Sequence, residues 1–296
     1  MSAPAEGAAV AERPPEVVTV RVPARTVRSE LRAIKVVWRR ELIRFSKDRM
    51  RIVTSLVQPL LFLFVLGAGL QQLSAASTHG LNLKTFIYPG VLCLSVMFTA
   101  MFSAASVVWD REFGFLREMM VAPVRRSSIV IGKCFGGATV AGLQGVIMIC
   151  LAGVVGVPYS LGLIVGIFAL QLLLAFSITA FGVMAAIRVK QMQSFMGLMQ
   201  LIVMPMFFIS GALFPIANLP NWLAVLNRLD PLTYAVQPMR SLVFAHLDLS
   251  PTAHQALNPS ITWFGWPVPT ALEVATVLAL GLAMLGIAIW EFNAGE

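Results

Sequence analysis

The chain has 296 residues, of which 58% are hydrophobic and only 12% are charged. An ordinary soluble domain is about 25% charged, so this composition, together with a mean hydropathy of +0.81, indicates lipid as the main solvent. A net charge of +8 is compatible with nucleic-acid binding, but the basic residues lie beside apolar segments rather than along an aromatic soluble face. The composition therefore argues against a nucleic-acid partner.

The N-terminal region changes character near residue 29. Residues 1–28 are rich in Ala, Pro, Glu, Val and Arg without the apolar core of a signal peptide, and we predict a disordered tail. In residues 29–48 apolar side chains recur at helical spacing among basic ones, which predicts an amphipathic helix at the membrane interface. Its apolar positions are Leu31, Ile34, Trp38, Leu42 and Phe45.

Long apolar segments fill the rest of the chain, residues 49–296. No charged residue occurs from Cys134 to Ile187, and at ~1.5 Å per residue this stretch is too long for one crossing of ~30 Å of hydrocarbon. Two spans must share it. We predict an all-α integral membrane protein with six transmembrane helices, at residues 52–70, 85–109, 134–157, 161–187, 195–213 and 269–290.

The distribution of Lys and Arg predicts the orientation of these spans. Nineteen of the 22 basic residues fall before the first predicted span, between the second and third, or between the fourth and fifth. The other three are Lys84, Arg228 and Arg240. Because cytoplasmic loops carry the excess of Lys and Arg, both termini and the loop that begins at Asp110 are predicted to be cytoplasmic.

Motifs for chemistry on this chain are missing from the sequence. There is no G-x-x-x-x-G-K-S/T loop, so we expect no ATP site of that kind. His79, His246 and His254 lack the spacing of a metal or catalytic motif, and the three cysteines lie in apolar segments without metal-ligand spacing. We predict no catalytic residue, no metal and no cofactor on the chain itself.

Glu273 is the only acidic residue in the predicted spans. It lies about one turn inside the sixth span, and we expect it at the level of the lipid headgroups. The alternative is functional, because an intramembrane carboxylate is the usual proton or sodium site of a secondary transporter. An ion-coupled transporter that uses Glu273 therefore stays open as a second hypothesis.

The loop between the second and third predicted spans, Asp110 to Lys133, has the pattern of a short amphipathic helix. Phe113, Leu116 and Met120 form one helical face, and Pro123 is expected to end the helix. Composition alone leaves two interpretations, a loop that only sets membrane topology and a loop that contacts a partner.

The loop contains the run D-R-E-x-G-x-L-R-E-x-x-x-A-P-x-R-R-x-x-I-x-x-G-K. With this run, the chain over about residues 30 to 292 resembles the permeases of type-2 ABC exporters, which include daunorubicin-resistance and nodulation lipo-oligosaccharide exporters. A second similar segment extends from Phe214 to Tyr234 and is followed by Arg240. The loop lacks the E-A-A-x-x-x-G pattern of ABC importers, because Met119, Met120 and Val124 stand at its Ala and Gly positions. Export is therefore favoured over import.

The resemblance implies a permease that pairs with a second permease, of the same or a homologous chain, and with two copies of an ATP-binding subunit, which would hold ATP and Mg. The N-terminal helix and the loop helix would rest on the ATPase subunits. The residues implied in ATPase coupling are Arg39, Arg40, Asp110, Arg111, Glu112, Gly114, Arg117, Glu118, Pro123, Arg125 and Arg126.

The segment before the last span is predicted to form external re-entrant helices. Pro215, Pro220 and Pro231 interrupt helices there, while Trp222 and Tyr234 suit the headgroup level. An ordinary surface loop is the alternative.

Candidate residues for a substrate path come from the second and fifth spans, because Met and Phe make adaptable apolar contacts. Packing and lipid contact are the alternative roles of such residues. The candidates are Phe98, Phe102, Met204, Phe207 and Phe208. Together, these features predict a permease subunit of an ATP-driven exporter in a bacterial plasma membrane, which moves an amphipathic drug, lipid or lipid-linked glycan outward.

Overall fold

The computed structural model describes residues 26–71, 81–121, 124–216, 219–247, 250, 256–263 and 265–294. Within these ranges six helices are long and apolar enough to cross a membrane. We call them the first to sixth spans: Arg49–Gly69, Leu83–Glu112, Arg126–Cys150, Leu161–Arg188, Met192–Ile209 and Thr270–Ala294. The predicted all-α, six-span fold is confirmed.

The N-terminal helix, Val27–Lys47, begins at a capping box. The Ser29 amide donates to Thr26 Oγ1 at 3.2 Å, and the Thr26 amide donates to Ser29 Oγ at 3.0 Å. Val37, Glu41 and Phe45 are buried, and their spacing of four residues places them on one face. This helix is therefore packed against the protein along that face. Residues 1–25 of the predicted tail lie outside the described residues.

Two of the spans change geometry along their length. The first is helical over Arg49–Leu61, passes through a π-helical turn at Phe62–Leu66 and ends at Gly67–Gly69. The second consists of Leu83–Ala104 and Ser106–Glu112, joined at Ala105.

The third span begins at Arg126, eight residues before the predicted boundary at residue 134. The prediction stopped at the last charged residue, Lys133, because an isolated charge is costly in a membrane helix. In the structure Lys133 is paired inside the protein, so the helix continues past it. The span ends at Cys150, and a 3₁₀ turn, Ala152–Val155, follows it.

The second span forms the centre of the bundle, and almost all of its side chains are buried. The third and fourth spans pack against it, and the sixth packs against the fourth. Hydrogen bonds link these helices: Tyr88 Oη donates to the Met148 carbonyl at 3.0 Å, and Ser177 Oγ donates to the Val277 carbonyl at 2.9 Å. The first and fifth spans lie at the periphery, where few of their side chains are buried and most apolar ones are half-buried or exposed.

The spans alternate in direction, so their ends lie at two faces of the bundle. The basic face carries the N-terminal helix, the loop helix Phe115–Val121 and the turn at residues 189–191. The opposite face carries the segment between the fifth and sixth spans.

That segment contains a first short helix, Asn221–Leu229, which is mostly exposed, and a second short helix, Thr233–Phe244, which is almost entirely buried. It also contains a hairpin of the strands Thr262–Trp263 and Trp266–Pro267. The strands pair antiparallel, with Trp263 opposite Trp266. The two predicted short helices are therefore present, and their re-entrant position in a membrane stays a prediction. The hairpin was not predicted.

Candidate functional site

A buried ion cluster lies at the basic face, where three separate segments meet. Lys133 Nζ lies 2.7 Å from Glu41 Oε1 of the N-terminal helix and also contacts Asp110 Oδ2 of the second span. Ser106 Oγ accepts a further hydrogen bond from Lys133 Nζ at 2.8 Å. The three charged side chains are each at most 3% exposed. We call Glu41, Ser106, Asp110 and Lys133 the ion cluster.

Two arginines of the N-terminal helix surround Asp110 on its other side. Arg40 Nη2 donates to Asp110 Oδ1 at 2.5 Å, and Arg44 Nη1 lies 3.7 Å from the same oxygen. The Arg44 guanidinium lies 5.0 Å from the centre of the Trp109 ring, and that of Arg40 lies 5.9 Å from the Phe115 ring. The N-terminal helix thus contacts one oxygen of the Asp110 carboxylate, and Lys133 of the third span contacts the other.

The energetics of such a cluster depend on its being complete. A buried charge is strongly disfavoured unless it is paired and hydrogen-bonded, and here each charge faces an opposite one. Removing one partner of a buried pair typically costs about 3–5 kcal/mol, because the other charge is left without compensation. The three segments are therefore held in one fixed relation.

Two glycines let the N-terminal helix approach the third span closely enough for this pairing. A Cβ atom at Gly132 would lie 2.8 Å from Val37 Cβ, and one at Gly136 would lie 2.8 Å from Glu41 Cβ. Both distances are too short for real carbon contacts, so only glycine fits. One turn further, Trp38 Nε1 donates to Thr139 Oγ1 at 3.0 Å. The four-residue glycine spacing thus serves packing within the chain.

Arg111 and Glu112 bind the turn between the fourth and fifth spans. Arg111 Nη1 donates to the Val189 carbonyl at 3.0 Å and to the Ala186 carbonyl at 3.3 Å, which satisfies acceptors at the end of the fourth span. Glu112 Oε1 accepts from the Met192 amide at 2.7 Å, at the start of the fifth span. The three residues Asp110, Arg111 and Glu112 therefore connect four different segments of the basic face.

Further polar contacts join the remaining helix ends at this face. Glu30 carboxylate oxygens accept from Ser128 Oγ at 2.6 Å and from the Arg125 amide at 3.0 Å, at the start of the third span. Arg126 Nη1 donates to the Phe292 carbonyl at 3.3 Å, at the end of the sixth span. Arg188 Nε donates to Glu291 Oε1 at 3.0 Å.

The loop helix follows a turn at Gly114, whose φ of 80° lies in the left-handed region that glycine adopts without strain. The helix begins only at Phe115, so the predicted shared face of Phe113 and Leu116 is corrected. Leu116 is buried against the bundle, whereas Phe113 is 69% and Val121 85% exposed. Phe115 and Glu118 are exposed as well.

The predicted coupling residues divide into inward and outward groups. Asp110 is buried in the last turns of the second span rather than in the loop, and Arg40, Arg111 and Arg126 are half-buried. Arg39, Glu118 and Arg125 have exposed side chains. Arg117 lies in the loop helix, and Pro123 lies outside the described residues.

Sequence reasoning missed Glu41 and Ser106 and placed Lys133 in the loop. The available signal for Glu41 was its position between Val37 and Phe45, an acidic residue at four-residue spacing from two apolar ones on one helical face. Its partner could not be identified from the sequence, because Lys133 is 92 residues away along the chain.

At the opposite face, the predicted residues Tyr234 and Trp222 have different environments. Tyr234 is buried: its Oη donates to the Arg228 carbonyl at 2.7 Å and accepts from Trp263 Nε1 at 2.8 Å. Trp222 is 66% exposed on an apolar stripe of the first short helix. Pro220 and Pro231 are exposed, and Pro215 is half-buried.

Arg240 belongs to the second short helix, and its side chain is fully buried. Its Nη2 donates to the Gly211 carbonyl at 2.5 Å, just past the end of the fifth span, and its guanidinium lies 4.7 Å from the Phe86 ring centre. These contacts hold the second short helix against the second span and the end of the fifth span.

The candidate substrate-path residues point in different directions. Phe98 and Phe207 are buried, and the Phe207 ring packs edge-on against Phe62 of the first span at 5.7 Å. Met204 and Phe102 are half-buried, and Phe208 is exposed. A substrate path along them stays a prediction.

Glu273 was expected at the headgroup level, and this stays a prediction. Its side chain is 2% exposed, in the first turn of the sixth span, because that face of the helix packs into the bundle. Among the described residues, Glu273 Oε2 has no hydrogen-bond partner.

A multi-pass helical membrane protein whose helix ends are joined at a basic face is the class that this geometry defines. Residues 32–244 match the ABC-2 type transporter family. The matched range includes most of the N-terminal helix, the ion cluster and both short helices. The chain therefore belongs to the ABC-2 type transporter family, and it is an ABC transporter membrane subunit.

Individual relatives agree with this assignment. The chain is 32% identical over 212 residues to a putative transport permease, ycf38, of Cyanophora paradoxa, which covers 70% of this chain and 72% of the relative. It is 28% identical over 214 residues to nodulation protein J of Rhizobium leguminosarum bv. trifolii, covering 71% and 80%. It is 25% identical over 244 residues to a probable doxorubicin resistance ABC transporter permease protein, DrrC, of Mycobacterium tuberculosis, covering 82% and 85%.

Proposed function

We propose that the chain is the permease of an ATP-driven exporter that moves an amphipathic drug, lipid or lipid-linked glycan out of a bacterial cell. The observation that carries the proposal is the basic face. There the N-terminal helix, the loop helix and the span ends are bonded into one unit beside an exposed apolar surface. Such a unit can transmit the movement of a bound ATPase to the spans.

The topology in this proposal places the basic face in the cytoplasm of a bacterium, with both termini on that side of the plasma membrane. Nineteen of the 22 Lys and Arg residues lie in the sequence segments predicted on this side of the membrane, and an excess of these residues favours retention in the cytoplasm. An ATPase that uses cytoplasmic ATP would then meet the loop helix.

The proposed docking surface of the ATPase subunit is the outer side of the loop helix and the exposed side of the N-terminal helix. Phe113, Phe115 and Val121 present apolar surface, which favours protein contact. Glu118 and Arg39 add charges of both signs at its edge. In the assembly, two permease chains and two ATPase subunits form the exporter.

The proposed substrate class follows from the chemistry of the spans and from the relatives. The described spans present mostly apolar side chains with Met and Phe, which suits a substrate with a large apolar part. One relative carries doxorubicin resistance in its name and another is a nodulation protein, so amphipathic substrates are the class to test first.

Co-purification in mild detergent from a bacterial host of the chain's own lineage tests the proposal. We expect an ATP-binding subunit in the purified complex by mass spectrometry, ATP hydrolysis, and ATP-dependent accumulation of doxorubicin in inside-out vesicles. Recovery of the chain alone, without ATPase activity, contradicts the proposal.

The buried carboxylate of Glu273 favours a second candidate, an ion-coupled transporter. If the chain is the proposed exporter, the Glu273→Gln variant should retain ATP-dependent transport. Collapse of the proton gradient should not change the transport rate. If transport instead follows the proton or sodium gradient and is lost in Glu273→Gln, the second candidate is correct.

A further inference from the structure

The ion cluster lies where the loop helix connects to the second span, so a movement of the loop helix reaches the spans through it. Asp110 lies in the last turns of the second span, and the loop helix begins five residues later. Asp110 is bonded to Lys133 of the third span and to Arg40 of the N-terminal helix. Its neighbours Arg111 and Glu112 hold the ends of the fourth and fifth spans.

We propose that Lys133 is a positioning residue for ATP coupling: it locks the N-terminal helix and the second span to the third span, so that the movement imposed by the ATPase reaches all three together. This inference rests on the proposed function. It assigns a coupling role to a residue that contacts no ATPase, because Lys133 is only 3% exposed.

The geometry supports Lys133 rather than its neighbours as the centre of this lock. Among the residues that the structure describes, its ammonium is the one group that contacts both carboxylates, Glu41 at 2.7 Å and Asp110 on the other side, as well as Ser106 at 2.8 Å. Arg40 contacts Asp110 at a position that is 37% exposed, where solvent screens the interaction. Lys133 is buried, so its attraction to the carboxylates is screened much less.

The lock also has a steric part that can be tested independently of charge. Gly132 and Gly136 flank Lys133 and bring the N-terminal helix against the third span. A side chain at Gly136 would meet Glu41 and push its carboxylate away from Lys133. A steric change at Gly136 and a charge change at Lys133 should therefore have the same functional effect.

The test uses the full chain with its ATP-binding subunit, reconstituted in liposomes, and measures doxorubicin export per ATP hydrolysed. For Lys133→Met and for Gly136→Leu we expect the ATPase subunit to remain bound and ATP hydrolysis to continue. Export per ATP should fall by about tenfold, since the imposed movement no longer reaches the spans as one unit.

Matched controls separate this effect from general damage. Lys190→Met removes an exposed lysine of the same face, and Gly162→Ala adds a Cβ where no atom lies within 4 Å. Both should export at the wild-type ratio. Lys133→Arg keeps the positive charge and should retain more export per ATP than Lys133→Met.

A triple variant with Glu41→Gln, Asp110→Asn and Lys133→Met removes all three charges of the cluster. It therefore leaves no buried charge of the cluster without a partner. If this variant folds and binds the ATPase but exports poorly, the cluster acts in coupling. If it exports like the wild type, or if Lys133→Met and Gly136→Leu retain the wild-type ratio, the inference is wrong. If the wild-type complex itself shows no ATP-driven export, the proposed function fails instead.

Discussion

Glu41 shows how a single residue can have a role that its local pattern conceals. It lies on the same face of the N-terminal helix as Val37 and Phe45, where an apolar side chain would be expected, and it is 3% exposed. Its charge is tolerated because Lys133 approaches to 2.7 Å. Residues that break the apolar pattern of a membrane-associated helix are therefore the first candidates for buried ion pairs.

Asp110→Asn tests the energetic weight of the cluster in the purified chain. The substitution removes the carboxylate that Lys133, Arg40 and Arg44 share, and we expect the free energy of unfolding to fall by about 3 kcal/mol. Thermal unfolding in detergent, followed by tryptophan fluorescence, measures the change. Glu118→Gln removes an exposed carboxylate and should change stability by less than about 0.5 kcal/mol. Equal effects of the two substitutions contradict this prediction.

Asp230 is another buried carboxylate, and it lies between the first and second short helices. It is 6% exposed, and its Oδ1 accepts from the Leu232 amide at 3.0 Å. Burial raises the pKa of Asp230 from 3.8 to about 7, although hydrogen bonds from Leu232 and Thr233 oppose the shift. Between pH 3.8 and about 7, the folded chain therefore keeps a proton on Asp230 that the unfolded chain has released. The free energy of unfolding falls as the pH rises through this window.

Asp230→Asn should remove this pH dependence. Asparagine keeps an acceptor for the Leu232 amide and carries no charge, so we expect a gain in melting temperature that is larger at pH 8 than at pH 5. For a chain of this size each kcal/mol corresponds to about 2–4 °C. Melting curves of both proteins in one detergent measure the gain. The same gain at both pH values contradicts the assignment of the shift to Asp230.

At the scale of the elements, the N-terminal helix and the loop helix were predictable in existence but not in their contacts. Apolar periodicity placed the N-terminal helix within two residues of its observed bounds. The loop helix was predicted as well, but its start was not, since Gly114 at a φ of 80° ends the preceding helix. What each helix packs against depended on distant residues, and periodicity carries no information about those.

Gly114→Ala tests the turn between the second span and the loop helix. Open space surrounds Gly114, so alanine meets no clash, but a left-handed backbone costs a residue with a Cβ about 1–2 kcal/mol. We expect lower stability of the loop helix and weaker ATPase binding, measured by thermal unfolding and by co-purification. As a control, Gly197 lies in a helix, and a Cβ added there has no atom within 4 Å. Gly197→Ala should leave the free energy of unfolding unchanged or raise it. Unchanged ATPase binding in Gly114→Ala contradicts a role for the turn.

At the scale of the whole molecule, the alternating direction of six spans brings all basic segments to one face. Few side chains of the first and fifth spans are buried, and apolar ones such as Val57, Val65 and Leu201 are exposed. Lipid or the proposed second permease would cover these surfaces. The number and order of the spans are thus common to the sequence-based prediction and the structure.

Accessibility of introduced cysteines tests the proposed orientation. In a Cys150→Ser background, where the remaining Cys93 and Cys134 are buried, Asn221→Cys should react with an impermeant maleimide in intact cells. Lys190→Cys should react only after the membrane is permeabilised. Both side chains are exposed in the chain, so membrane sidedness decides the difference. The reverse labelling pattern contradicts a cytoplasmic basic face.

The sequence by itself determined the number of spans and the class of protein, because every span must be apolar in lipid and hydropathy records this directly. It also determined which charges gather near the ends of the spans, including Asp110, Arg111 and Glu112. Only the tertiary structure decided which of them are internal. Lys133 and Glu41 are 92 residues apart and meet because two glycines let their helices touch, a relation that no local pattern contains.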